Sequence, residues 1–248
     1  MNLEYAYKTD VGRIRSYNED AVAIFEQDDM LIMVVADGMG GHALGDVASK
    51  MAIGHVANQF NAGLSFDTSA AASEWLTKTL STINADILTF GKQHHTKNMG
   101  TTLVMAIVMK DFVVVANIGD SRAYLWAHDT LRQITRDHTF VAELVEKGQI
   151  SERAAKVHPQ KNVINKAMGA SPQLDFDVLV IEHYALQGVL LCSDGLTRLI
   201  EDKEILEVLQ TNLTVKEKVT TLIKKANDAG GRDNVTVALV SFGERSQS

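Results

Sequence analysis

The chain is written in short apolar runs and amphipathic stripes, set apart by polar turns rich in glycine and aspartate. Leu3 to Thr9 alternates and predicts a strand, Asp10 to Asp20 is polar, and Ala21 to Phe25 predicts a second strand. A turn at Gln27 to Asp29 leads into Met30 to Ala36, which is apolar throughout and predicts a buried strand. Leu44, Val47, Ala48, Met51, Ala52, Val56 and Phe60 then form one helical stripe, stopped by Gly63. A second helix, capped by Ser69 or Ser73, carries Leu76, Leu80, Ile83, Ile87 and Phe90 and closes at Gly91. Both stripes predict core. His94 and His95 follow in a polar connection without a third ligand at zinc spacing.

Four strands are predicted next, at Thr101 to Met109, Phe112 to Ile118, Ala123 to Ala127 and Leu131 to Thr135. Their connections are so short that all four are expected to be antiparallel neighbours. Asp137 to Gly148 has a helical stripe at Val141, Leu144 and Val145, and Ser151 to Val157 predicts a short helix. Residues 148 to 172, containing both prolines, read as an excursion from the sheets. Strands at Phe176 to Ile181 and Gly188 to Cys192, helices at Glu204 to Leu209 and Val215 to Ala226, and a last strand at Val235 to Phe242 complete the pattern. Strands rarely alternate singly with helices, which disfavours a doubly wound parallel sheet. The expected class is α+β: two antiparallel sheets packed together and covered by helix pairs. No linker divides the chain, so residues 1 to 243 read as one domain and 244 to 248 as a frayed tail.

Composition narrows the function. Apolar content of 46% and charged content of 22% are those of a globular protein. A net charge of −7 with no basic block argues against nucleic acid. A single cysteine, no signal-peptide pattern and no apolar run near the ~20 residues of a membrane span point to the cytoplasm.

Four acids share a context. Asp20, Asp37, Asp194 and Asp233 each lie where a predicted strand begins or ends, and three adjoin glycine or a turn. Asp37 is followed by Gly38, Gly40 and Gly41, which let backbone approach a ligand closely, and then by His42. Carboxylates gathered in an apolar cleft cannot all ionise unless cations balance them. A pair of hard cations, Mg²⁺ or Mn²⁺, would be held by such oxygens, with Asp37 and the Gly38 carbonyl among the donors. Paired metals activate water and clamp an in-line displacement. Arg15 offers a planar fork for a phosphate, and His42 is a candidate general acid for the leaving oxygen.

Six motifs stand in a set order: Arg15 to Asp20 (RSYNED), Asp37 to His42 (DGMGGH), Met99 to Thr102 (MGTT), Gly119 to Arg122 (GDSR), Cys192 to Gly195 (CSDG) and Gly231 to Asn234 (GRDN). In this order the chain resembles the metal-dependent protein phosphatases of type 2C, as a minimal bacterial member, from about Thr9 to Val240. The resemblance implies a sandwich of two antiparallel sheets flanked by helix pairs, with two Mn²⁺ or Mg²⁺ ions at one end. It implies that Asp37 bridges both metals, that Gly38 lends its carbonyl to one, and that Asp194 and Asp233 bind the other. Glu19 and Asp20 would hold waters on the metals, Arg15 would bind the substrate phosphate, and Asp120 with Asp194 would form a weaker third site. The excursion would be the variable flap that influences substrate choice. Gly45-Asp46 departs from the Gly-Glu of many relatives and shortens an outer acid. The implied activity is hydrolysis of phosphoserine and phosphothreonine by direct attack of a water or hydroxide bridging the metals, with no phosphoenzyme. The implied partners are phosphorylated proteins and a Ser/Thr kinase that the enzyme opposes, with the enzyme monomeric, without nucleic acid or membrane.

Three other readings compete. Cys192 and Arg198 have the Cys-x₅-Arg spacing of cysteine phosphatases, but Asp194 intervenes and Cys192 ends an apolar run, which favours a buried thiol. A catalytically inactive phosphoprotein-binding module should have lost a metal acid, and none of the main ones is missing. A calcium-binding domain would need an Asp-x-Asp-x-Asp-Gly loop. Arg122 is expected to brace its turn or pair with an acid, and His138 and His158 to be structural or solvated.

Overall fold

The computed structural model describes residues 3–40, 44–96, 98–182 and 186–243. In chain order the elements are β1 (Leu3–Asp10), β2 (Asp20–Gln27), β3 (Met30–Met39), α1 (Leu44–Asn61), α2 (Ser69–Gln93), β4 (Gly100–Thr101), β5 (Leu103–Val108), β6 (Phe112–Ile118), β7 (Arg122–Ala127) and β8 (Thr130–Gln133). They continue with α3 (Phe140–Glu146), α4 (Glu152–Val157), β9 (Asp177–Glu182), β10 (Gly188–Cys192), α5 (Asp194–Thr197), α6 (Asp202–Leu209), α7 (Val215–Asp228) and β11 (Val235–Phe242).

The strands form two antiparallel sheets. One runs β1-β11-β10-β7-β8; the other runs β2-β3-β5-β6-β9, with β4 paired to β3. The apolar runs are explained by burial on both faces. In β3, Leu31, Met33 and Val35 face the second sheet and meet Leu125, Leu191, Ala238 and Val240. The alternate residues Ile32, Val34 and Ala36 face α1 and α2 and pack with Val56, Leu80 and Ile83. On the far side, Tyr124, Leu190, Val237 and Leu239 meet the stripe of Val219, Leu222, Ile223 and Ala226 on α7. The expected α+β class, a two-sheet sandwich flanked by helices, is what the protein forms. No helix among the described residues is long and apolar enough to cross a membrane.

The departures from the sequence pattern matter for the site. β6 and β7 are not neighbours: both flanks of β6 are taken by β5 and β9, so the chain crosses at Gly119 to Ser121 into the other sheet. The strand expected at Thr101 to Met109 is interrupted at Thr102, which turns its polar groups to Asp37 instead of a ladder. β3 runs on to Met39, so Asp37 lies inside the strand and not at its end. Thr68, not Ser69 or Ser73, caps α2, accepting the Ala71 N–H at 3.1 Å, while Ser73 donates its hydroxyl back to the Ser69 carbonyl. Gly91 sits within α2, which continues to Gln93. The four-residue α5 has no periodicity to betray it in the sequence.

Candidate active site

The site grows out of the inter-sheet face. Along β2, Val22 and Ile24 line the space between the sheets, and along β3 Leu31, Met33 and Val35 do so. Two-residue periodicity puts Asp20 and Asp37 on the same faces. The strand register pairs them directly, Asp20 opposite Asp37. So the apolar filling of the sandwich ends, at one edge, in two carboxylates.

The opposite sheet supplies partners. The Ser193 and Thr236 hydroxyls donate to the same Asp20 oxygen, Oδ2, at 2.7 and 2.6 Å, joining the two sheets at the mouth of the site. Asp194 opens α5 immediately after β10 and Ser193. Asp120 arrives on the crossing turn, and the adjacent Ser121 hydroxyl bonds that of Thr102 at 2.7 Å. Asp37 is held by its backbone: the Thr102 N–H donates to its carbonyl at 2.9 Å, and its own N–H donates to Thr102 Oγ1 at 3.1 Å. Next to it, Gly38 admits no side chain, since a Cβ would stand 2.2 Å from the Gly45 carbonyl oxygen.

A loop from Val11 to Glu19 completes the rim, and Asn234 organises it. Its side-chain NH₂ donates to the carbonyls of Val11 and Tyr17 at 2.9 and 2.8 Å, and its carbonyl accepts the Glu19 N–H at 2.8 Å. Arg15 stands on this loop, its guanidinium half-exposed and forked onto Asp233, with Nε to Oδ1 and Nη2 to Oδ2 both at 2.9 Å. Asp46 turns away to pair with Lys50 at 2.7 Å. His42 lies outside the described residues.

Electrostatics follow from crowding. Burial first, then Asp20, Asp194, Asp120 and Asp233, push the Asp37 carboxyl well above the usual carboxylate range. Burial, with Asp120 next, does the same to Asp194, against the pull of Arg198. Burial carries Asp20 up to about 6 although Thr236 and Ser193 hold its charged form. Asp120 and Glu19 are raised by burial too. Such a group invites cations, and the donors fit hard ones. Glu19 Oε1, Asp120 Oδ1 and Asp194 Oδ1 are buried without any hydrogen-bond partner. Among the described residues no three acids converge at coordinating distance, and Arg198 pairs with both Asp120 and Asp194.

Arg198 was set aside in the sequence as half of a Cys-x₅-Arg pair; it belongs instead to this acidic group. Cys192 is fully buried, and burial pushes its thiol up to about 12, which leaves no thiolate for nucleophilic attack. Ser193, Thr236, Thr102 and Asn234 were also missed as site residues. Three of the six motifs contain one of them, Thr236 lies just past the last, and none bears a charge that would have drawn attention. Arg122 braces its turn as expected, forked onto Asp137 at 2.9 and 2.7 Å.

His138 is structural. Its Nδ1 accepts the Gly119 N–H at 3.2 Å, so Nε2 carries the proton toward Asp177, also 3.2 Å away. Burial holds its pKa below the ordinary 6.5, so its contribution to stability is complete above that value and is lost as pH falls through the folded one. His138→Phe strands the Gly119 N–H and is expected to cost about 1–3 kcal/mol near pH 7.5 in urea unfolding. The gap from wild type should narrow toward pH 5; a gap constant with pH would show that the imidazole is not the group responsible.

Fold and site together define a class: an α-β-β-α sandwich with a carboxylate centre suited to hard cations at one end. The family profile for protein phosphatase 2C matches residues 13–239. The serine/threonine phosphatase stp of Listeria innocua is 43% identical over 236 residues, 94% of either chain. The crystal structure of serine/threonine phosphatase Stp1 from Staphylococcus aureus superposes with a TM-score of 0.92 at 37% identity, covering 98% of this chain and 96% of that one. The catalytic domain of the serine threonine protein phosphatase PstP, solved in complex with two manganese ions, gives 0.84 at 34% identity over 98% of this chain and 99% of its own. The chain belongs to the protein phosphatase 2C family.

Proposed function

We infer that this serine/threonine phosphatase hydrolyses phosphoserine and phosphothreonine in proteins directly, at a dinuclear cation centre held by Asp37, Gly38, Asp194 and Asp233. The observation that carries this is the group of five acids at the sandwich mouth, with orphaned buried oxygens and an arginine fork on its rim. The manganese-bound relative supports two cations; Mg²⁺ and Mn²⁺ suit the oxygen donors equally. When bound, such a pair lowers the pKa of water and offsets charge on the phosphoryl oxygens.

The residues of the chain do the rest. Arg15, half-exposed, meets the phosphate with a planar pair of donors, trading part of its hold on Asp233 for substrate oxygens. Glu19 and Asp20 hold water at the edge of the centre, Asp20 being fixed by Ser193 and Thr236. Asp120, with Asp194, provides a weaker third cation position. His42 is the candidate for protonating the leaving oxygen, on sequence grounds alone. Residues 148–172 are the flap: bridges at Ile164 and Met168 tie one end to the body, while Val157 and Val163 stay exposed toward a protein substrate. Residues 1–243 act as one catalytic unit, cytoplasmic and monomeric, on phosphoproteins made by a Ser/Thr kinase.

The test is phosphate release from a phosphothreonine peptide with Mn²⁺ and with EDTA, and a single turnover in ¹⁸O-water. Metal-dependent release with ¹⁸O in the phosphate and no phosphoenzyme is expected. A folded protein that is inert with every divalent ion yet binds phosphoprotein would make it a binding module instead.

A further inference from the structure

Arg198 follows α5 by one residue and lies one helical turn beyond Asp194, whose carbonyl accepts its N–H at 2.9 Å. Its side chain turns back into the site and is only 32% exposed, against 6% for Asp120 and 8% for Asp194. Nη2 donates to Asp120 Oδ2 at 3.2 Å and also pairs with Asp194 Oδ2. Nη1 lies 3.9 Å from Asp233 Oδ2. One guanidinium thus touches three of the acids that the proposed centre uses. It occupies one oxygen of each of two carboxylates and leaves Asp120 Oδ1 and Asp194 Oδ1 unpartnered.

We propose that Arg198 is a tethered counter-cation that competes with the divalent ion for Asp120 and Asp194. The inference rests on the cation-centre reading above. A hard cation binds carboxylate oxygen at about 2.0–2.3 Å, and a guanidinium nitrogen cannot share that space. A metal that takes the two Oδ2 atoms must therefore expel Nη2. The expulsion is feasible, since the side chain is long, anchored beyond the end of a single helical turn, and already a third open to solvent. Two effects follow. The site gives up its metal more readily than its charge alone would dictate. The metal-free protein stays folded because its carboxylates retain a positive partner.

The experiment uses Arg198→Met, which keeps the apolar stem, and Arg198→Lys, which keeps the charge without the fork. Mn²⁺ binding to chelator-stripped protein is followed by calorimetric titration, and melting is recorded with and without Mn²⁺. The Met variant is expected to bind its weakest Mn²⁺ at least tenfold more tightly than wild type and to melt lower when stripped, with Lys in between. A variant that folds only when Mn²⁺ is present is the same result in its extreme form. Folded Met and Lys variants that bind every Mn²⁺ no more tightly than wild type overturn the competition. A wild type that takes up no Mn²⁺ overturns the cation centre itself, and is told apart by the first titration.

Discussion

Asp37→Asn is expected to lower phosphate release by on the order of 10³-fold and, in EDTA, to raise the melting temperature. The two effects have one cause. Asp37 is partly buried and crowded by four other acids, so its charge is costly to the fold unless the proposed cations offset it. Asparagine keeps the shape and removes the charge. Relief of this kind is typically worth about 1–2 kcal/mol, which is about 3–6 °C for a chain of this size. The pH dependence has a definite sign. Asp20, Asp37 and Asp194 all have folded pKa values raised above 3.8, so each favours the folded state below that value and loses the advantage as pH rises through the folded one. The contribution of these three acids to the stripped wild type should decline from about pH 4 upward, with Asp20 losing its share at about 6. The variant should weaken less. With Mn²⁺ present the order should reverse, since wild type gains a ligand that the variant holds poorly. Scanning calorimetry at pH 5 and pH 8, with and without Mn²⁺, tests all of this. A variant that melts below wild type in EDTA at pH 8 would mean that Asp37 is not the strained charge it is taken for.

Gly195→Ala is expected to damage fold and site together. A Cβ there would stand 1.8 Å from the Asn234 carbonyl oxygen and 3.2 Å from the Val235 Cα. Backbone meets backbone at this point, and neither side is a flexible tip that could yield. The start of α5, carrying Asp194, must move away from the segment carrying Asp233. Overpacking of this kind costs about 3 kcal/mol, and displacing two proposed ligands by about 1 Å costs on the order of 10²-fold in rate. Gly54→Ala is the natural control: its Cβ meets nothing within 4 Å on α1, and the change should stabilise by about 0.5–1 kcal/mol. Urea midpoints and activity per folded molecule decide the matter. If Gly195→Ala unfolds with wild type and keeps its rate, the two acid-bearing segments are not rigidly coupled.

Much of the fold was legible in the chain because both faces of the central strands are buried. Met30 to Ala36 has to be apolar at every position, and such a run is hard to mistake. The acids were legible for the opposite reason, as charges where an apolar run stops. What could not be read was adjacency. The pairing of Asp20 with Asp37 depends on the register of β2 against β3, which the turn at Asp28 sets and composition does not. The passage from β6 to β7 looks like a hairpin in sequence, yet β9, more than fifty residues later, occupies the edge that the hairpin would need. Arg198 was visible only as spacing from Cys192; its true partners are set by α5, a single turn too short to leave a pattern. Asn234 and Thr236 act through hydrogen bonds, and uncharged donors carry no sign in a sequence that singles them out.

The bonds from Ser193 and Thr236 to Asp20 span two sheets and residues 173 and 216 positions apart. Neither sheet alone contains the centre. It comes into being only when the halves have docked, as the late product of long-range closure. A divalent ion therefore has nothing to grip in a half-formed chain. Bound at the proposed centre, it would act as a latch on the finished sandwich, slowing its opening without seeding its assembly.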